Sequence, residues 1–304
     1  MKKFLLLLSL SFLLFTTKSY GQQDPQYTQY MYNMNVINPA YAGSKGNLTF
    51  TSLYRQQWSG VEGAPETITI SGHTPVSEKV GLGLSVIADE VGPVRETNVY
   101  GDFAYTLNLG GTARLALGIK AGLTFHDIGL NNLIINDPGD PFFSENVSET
   151  TFNVGTGAFF YTDRFYLGLS MPNLLEQTHL DTNDLEIGSE TQHYFFTGGY
   201  VFDLNPTIKF KPHFMVKGAF DAPISFDLNT NFLFYERLEL GASYRLEDSF
   251  SGLIGFYITE SIRFGYAYDR VVSDLDVVTS SSHEVFLTFD LNFPRRPSVS
   301  PRFF

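Results

Sequence analysis

Leu115 to His126 reads LALGIKAGLTFH. Its odd positions, Leu115, Leu117, Ile119, Ala121, Leu123 and Phe125, are all apolar. Its even positions, Ala116, Gly118, Lys120, Gly122, Thr124 and His126, are small or polar. A period of two is the mark of a strand, in which successive side chains point to opposite faces. The alternation returns at Ile208, Phe210, Pro212, Phe214 and Val216, set against Lys209, Lys211, His213, Met215 and Lys217. It returns again at Val285, Leu287, Phe289, Leu291 and Phe293, against Phe286, Thr288, Asp290 and Asn292.

A sandwich also alternates, so the choice of architecture rests on further features. The segments run to ~9–14 residues, as a tilted membrane crossing requires, against ~5–6 for an ordinary strand. Their polar faces are rich in Gly, Ser and Thr, as at Gly81, Gly83 and Ser85, or Asn153, Gly155 and Gly157. Aromatics gather at segment ends, as in Phe159-Phe160-Tyr161, Phe232 to Tyr235 and Phe264 to Tyr268, where a bilayer interface places its girdles. About fourteen such segments are expected between residues 47 and 293, an even number suited to a closed membrane barrel.

Threading agrees with closure. Every second connection is tight: Pro75 to Lys79, Gly110-Gly111, Thr162-Asp163, Asn205-Pro206, Tyr235-Glu236 and Thr259-Glu260. The intervening ones are mostly long, notably 131–149, 173–191 and 268–281. The fold class is therefore all-β, a transmembrane antiparallel up-and-down barrel with both termini periplasmic and the long loops outside. A cation at mid-bilayer costs ~2–4 kcal/mol, so the apolar faces must meet lipid. Lys120, His126, Lys209, Lys211, His213, Lys217, Arg245, Arg263, Asp269 and Asp290 then point into the lumen, and their mixed signs predict internal salt bridges rather than an ion-selective pore.

Composition narrows the remaining classes. The chain has 304 residues, a formal charge of -12 and no cysteine. An acidic surface does not neutralise nucleic-acid phosphates. The missing thiols exclude disulfides, thiolate metal sites and an N-terminal lipidated cysteine. Lys2 and Lys3 followed by the apolar run from Phe4 to Phe15, and then Ser19-Tyr20-Gly21, read as a signal peptide over residues 1–21 with a cut before Gln22. Residues 22–46 form a periplasmic N-terminal segment or plug, 47–293 the barrel, and 294–304 a Pro-rich tail in which Pro294, Pro297 and Pro301 oppose a further strand.

Several constellations bear on function. Asn38-Pro39-Ala40-Tyr41-Ala42-Gly43 is turn chemistry, fit for a plug, a contact with periplasmic partners or a cap on the mouth. Trp58, the one tryptophan, precedes Gly60, Gly63 and Pro65, and suits either an interface anchor or a docking hot spot. The acidic stretches Asp137 to Asp140 and Asp181 to Glu186 lack the ligand spacing of a calcium loop and read as solvated. His283-Glu284 reads as a salt bridge at the barrel mouth. No Gly-x-Ser-x-Gly elbow, phosphate loop or zinc signature occurs, so neither an enzyme nor a cofactor or metal is expected.

Residues 26–43, QYTQYMYNMNVINPAYAG, resemble the start of the PorP/SprF family of type IX secretion system membrane proteins, found in Bacteroidota. The resemblance continues through WSGVEGAPETITISGHTPV at 58–76, GLGLSVIADEVGP at 81–93, YAYD at 266–269, HE at 283–284 and a SPRFF tail. It implies an outer-membrane barrel that helps deliver or retain secreted cargo at the cell surface. That cargo would be large adhesins, including those used in gliding, or proteins with a C-terminal sorting domain. Secretion machinery or peptidoglycan-binding proteins would be the periplasmic partners. With the turn and loop readings it marks Asn38, Pro39, Tyr41, Trp58, Gly60, Gly63, Pro65, Tyr268, Asp269, His283 and Glu284 as candidate partner contacts. The alternative is a transporter of small hydrophobic solutes with an N-terminal hatch.

Overall fold

A computed structural model describes residues 25–132, 145–175, 177–178, 181–182, 185–186, 189–190, 192–219, 222–273, 277, 279 and 281–291. The expected signal peptide and the Pro-rich tail lie outside these residues, as does the acidic stretch 137–140. Only part of the stretch 181–186 is described.

The alternating segments form fourteen strands. The first half comprises β1 (Leu48–Gln56), β2 (Glu66–Pro75), β3 (Val80–Val91), β4 (Val94–Gly110), β5 (Ala113–Ile128), β6 (Val147–Tyr161) and β7 (Phe165–Met171). β8 is His193–Tyr200, continued past Val201 by Phe202–Asn205. There follow β9 (Ile208–Ala219), β10 (Ala222–Phe234), β11 (Leu238–Arg245), β12 (Ser249–Tyr257), β13 (Ile262–Val271) and β14 (Ser281–Leu291). Each strand pairs antiparallel with its neighbours in sequence, and β1 pairs with β14, Leu48 opposite Leu291 and Gln56 opposite His283, so the sheet closes on itself. Closure satisfies the backbone of every strand against another, which is what allows a sheet to sit in hydrocarbon.

The two faces separate as the alternation requires. Ile119 is 62% exposed on the outside, whereas Lys120, one residue on, is 2% exposed and faces the lumen. Lysine at position 119 should cost about 2–4 kcal/mol of stability in lipid, measured by folding into vesicles, because the charge would meet acyl chains.

Outward aromatics form a ladder across β8, β9 and β10: Tyr200–Phe202 at 4.5 Å between ring centroids, Phe202–Phe210 at 6.0 Å and Phe210–Phe232 at 4.7 Å. The run Phe159-Phe160-Tyr161 departs from its expected place in the girdle. Strand alternation sends only Phe160 outward; Phe159 and Tyr161 are buried in the lumen and tilt against each other at 5.4 Å.

Most of the inward charges pair. Lys120 Nζ lies 2.7 Å from Asp102, and Arg245 meets Asp227 with Nε at 2.8 Å and Nη2 at 2.9 Å. Arg263 contacts Glu239, and His126 lies 3.3 Å from Glu96. Lys209 and Asp290 are less buried than the others. They lie near the short-turn end, where they meet Glu236 at 3.0 Å and Lys45 at 3.7 Å.

Candidate functional site

Residues 25–47 occupy the lumen. A closed sheet offers this stretch no free edge, so its backbone is satisfied by tight local turns. Tyr30–Tyr32 and Pro39–Tyr41 are 3₁₀ turns, and Met34–Ile37 is a single α-turn, α1. Asn38 caps the second 3₁₀ turn, its Oδ1 accepting from Ala40 N at 3.0 Å, and Pro39 takes a position that has no hydrogen-bonded N–H to lose.

The direction of the segment follows from its partners. Gln26 Oε1 and Tyr27 O accept from Arg245, the last residue of β11, at the long-loop end. Tyr32 OH donates to Glu239, the second residue of β11, at the short-turn end. Lys45 meets Asp290 close to the end of β14. The chain therefore descends the barrel from the long-loop mouth to the short-turn mouth before β1 begins. The strands start and finish at the short-turn end, as the threading implies, but the residues ahead of β1 run back through the lumen, so Pro25 to Gln29 lie towards the opposite mouth.

The segment is bonded around most of the wall. Near the long-loop mouth, Arg55 Nη1 donates to Asp269 at 2.8 Å, Glu284 at 3.1 Å and Thr28 Oγ1 at 3.0 Å. Glu284 also accepts from Thr28 N at 2.9 Å and Gln29 N at 2.7 Å. Mid-barrel, Tyr30 OH lies 2.9 Å from His213 Nδ1, and Asn35 Nδ2 donates to Asp102 at 3.0 Å. Lower down, Ser170 Oγ donates to Ile37 O at 2.7 Å and Asn38 Nδ2 to Ala158 O at 3.1 Å. Tyr41 stands edge-on to His73 and Phe159.

Inward glycines let the turns approach. A Cβ on Gly118 would lie 2.6 Å from Ala40 Cα, and one on Gly81 would lie 2.6 Å from the carbonyl carbon of Ala42. Real Cβ atoms do not come so close, so these positions of β5 and β3 must be glycine for backbone to rest on backbone. The Gly- and Ser-rich faces read from sequence as a lumen surface therefore have a more local cause.

The candidate contact residues divide into three groups. Asn38, Pro39, Asp269 and Glu284 are buried in the lumen, and Tyr41 packs there too; their polar atoms bind barrel to segment. Tyr268 and His283 point outward from the same strands as Asp269 and Glu284. There His283 Nδ1 lies 2.7 Å from Tyr266 OH, and its ring stands edge-on to Tyr268. The salt bridge expected of His283-Glu284 is not made between them: Glu284 pairs with Arg55 inside the mouth, and His283 faces the other way.

Trp58, Gly60, Gly63 and Pro65 build a braced loop at the long-loop rim. Trp58 N donates to Ser282 Oγ at 3.0 Å and Ser59 N to Ser281 O at 2.8 Å. On the other flank, Gly92 N donates to Gly63 O at 3.0 Å, and Gln57 N to Pro65 O at 2.9 Å closes the loop base. Trp58 sits at φ +52, a left-handed conformation that a bulky side chain adopts only when its surroundings hold it there. The sequence showed neither this strain nor Asp102, Glu239 and Arg55 as partners of the segment. For Asp102 a signal existed: the tight turn centred on residue 111 sets it directly opposite Lys120.

The family model described as type IX secretion system membrane protein PorP/SprF matches residues 19–289. No curated protein matches the chain. Among solved structures, the Ralstonia pickettii toluene transporter TbuX is similar at a TM-score of 0.52 and 10% identity, over 84% of this chain and 92% of that one. The CymD monoaromatic hydrocarbon channel gives 0.50 and 11%, over 91% and 96%. At such identities the likeness is one of fold alone.

Proposed function

The chain belongs to the PorP/SprF family of type IX secretion system membrane proteins, and from that premise we propose that it serves secretion as a sealed outer-membrane platform rather than as a pore. Its long-loop face is turned outwards and receives secreted cargo, a large adhesin such as those of gliding cells or a sorting-domain protein. Its short-turn face meets the secretion machinery or peptidoglycan-binding proteins. The work is done by protein–protein binding.

The observation that supports this reading is the bonded luminal segment. A transporter needs a passage, whereas here residues 25–47 are tied to strands around most of the wall by buried hydrogen bonds, several of them to charged side chains of the wall. A platform needs a stiff barrel and a rigid outer surface. The Trp58 loop, braced on one flank by β14 and on the other by the β3–β4 turn, is the docking element this reading selects. A held aromatic loses little freedom on binding, which is why such residues dominate contact energies.

Affinity capture of the solubilised barrel from its own outer membrane, followed by mass spectrometry, tests the proposal. A large adhesin or sorting-domain protein should be recovered. The substitution Trp58→Gly should abolish that recovery while leaving barrel stability within about 1 kcal/mol of the parent, since glycine accepts the left-handed backbone. A barrel that loses solute uptake when deleted, and binds no such protein, would favour transport instead.

A further inference from the structure

The turn that joins β10 to β11, at the short-turn face, is built from residues that such a turn does not favour. Arg237 N donates to Phe234 O at 2.9 Å, which leaves Tyr235 and Glu236 as the central pair. Both are left-handed, at φ +52 and +55, and nowhere else among the described residues do two consecutive non-glycine residues take that conformation. A Cβ crowds the following carbonyl oxygen there, so tight hairpins ordinarily use Asn-Gly or Gly-Gly. The β4–β5 turn shows the relaxed solution, with Gly110 and Gly111 at the positive angles. Folding alone would be better served by residues other than Tyr-Glu.

Tyr235 is 72% exposed, and among the described residues no aromatic side chain is more so. The bilayer interface does not require it, because Phe232 and Phe234, stacked at 6.3 Å, already end the outward ladder beside it. The turn is fixed from both sides: Tyr235 N donates to Thr207 O at 2.7 Å, and Tyr257 N to Arg237 O at 2.8 Å. Lys209 Nζ, 3.0 Å away, answers the Glu236 carboxylate. Arg237 is exposed, and its side chain forms no ion pair with any described residue. The tip therefore presents a held ring beside one unanswered cation.

We infer that Tyr235 and Arg237 form a docking knob for a periplasmic protein whose surface offers an apolar pocket with a carboxylate at its edge. Tyrosine and arginine are among the residues that dominate protein contact energies, and a fixed backbone spares the ring much of the freedom otherwise lost on binding. Backbone strain that folding does not reward persists where binding uses the geometry. The partner's carboxylate would meet the planar guanidinium in two parallel bonds, which sets its orientation on the ring. The knob lies on the face proposed above to meet periplasmic proteins, and rests on that reading; it supplies the place and the chemistry of the contact.

The test uses the full chain in living cells. Photo-reactive p-benzoylphenylalanine replaces Thr207, beside the knob, or Thr112 or Asp163 in two other short turns; all three are exposed. Illumination should give a protein adduct of defined mass from the probe at 207. Arg237→Glu should lower its yield about tenfold, and Arg237→Lys, which keeps the charge, should retain most of it. Tyr235→Asn combined with Glu236→Gly gives the turn the residues it favours. That variant should also lose about tenfold in yield while unfolding at a higher urea concentration, so a weakened barrel is not the cause. An adduct indifferent to both changes would overturn the inference, and so would a mass shift no larger than a lipid, which would make Tyr235 a membrane anchor. Protein adducts from 112 or 163 with none from 207 would remove the knob and leave the reading of the face in place. No protein adduct from any of the three would remove both.

Discussion

Valine in place of Gly118 should turn a sealed barrel into a conducting one. Gly118 faces inward on β5, opposite Ala104 on β4 and Gly157 on β6, so its backbone is hydrogen-bonded on both flanks and has little freedom to move. A Cβ there would sit 2.6 Å from Ala40 Cα, and the two further methyl groups of valine would go deeper into the 3₁₀ turn. Overpacking that a core absorbs by small shifts costs ~1–3 kcal/mol. Contact with backbone on both sides leaves no side chain to give way, so the turn must leave. Its own ties are few, chiefly Asn38 Nδ2 to Ala158 O and Ser170 Oγ to Ile37 O. Planar-bilayer recordings should show discrete conductance for Gly118→Val and none for the parent, and cells carrying it should admit large antibiotics. Gly101→Val is the control, since a Cβ at that lipid-facing position meets only Ala121 O, 3.9 Å away. A closed and fully stable Gly118→Val barrel would mean that the segment does not rest on β5.

Removing one guanidinium should cost the barrel more stability than any other single change considered. Arg55 is 2% exposed and faces two carboxylates, Asp269 and Glu284, that are equally buried. Replacing it with methionine leaves these two charges close together with no counter-ion. Breaking a buried pair in this way costs about 3–5 kcal/mol, most of it the penalty of the stranded charge. Urea unfolding in detergent micelles should show that loss. Adding Asp269→Asn and Glu284→Gln to Arg55→Met should recover most of it, because neutral groups of the same shape carry no stranded charge. If the triple variant stays as weak as the single one, packing of the Arg55 side chain rather than charge balance is what the site requires. A cysteine at Gln29 should label faster in Arg55→Met, because Glu284 would no longer be held in place to accept from Thr28 N and Gln29 N.

Much of the wall was legible in the sequence. LALGIKAGLTFH declares its lipid face because hydrocarbon accepts one kind of side chain and strand geometry repeats every two residues. The same reasoning placed Lys120, His213, Arg245 and Asp269 in the lumen. Tight turns at alternate connections made the closed, up-and-down order readable, since they leave neighbouring strands no choice of partner. Such reading failed where two faces compete for one residue type. Phe159 and Tyr161 look like girdle aromatics, yet their parity sends them inward against Tyr41 and Tyr166.

The sequence by itself determined a fourteen-stranded antiparallel barrel, which face meets lipid, and that its interior charges are of both signs. These are local or nearest-neighbour properties, written in a short period and in turn lengths. Only the tertiary structure decided what fills the barrel. Residues 25–47 carry no periodicity, and their partners lie far along the chain: Thr28 with Glu284, Tyr30 with His213, Asn35 with Asp102. Such contacts exist only once closure has brought the strands around a common axis. The direction of the segment and the buried cluster at Arg55 follow from that closure, not from any pattern in the residues themselves.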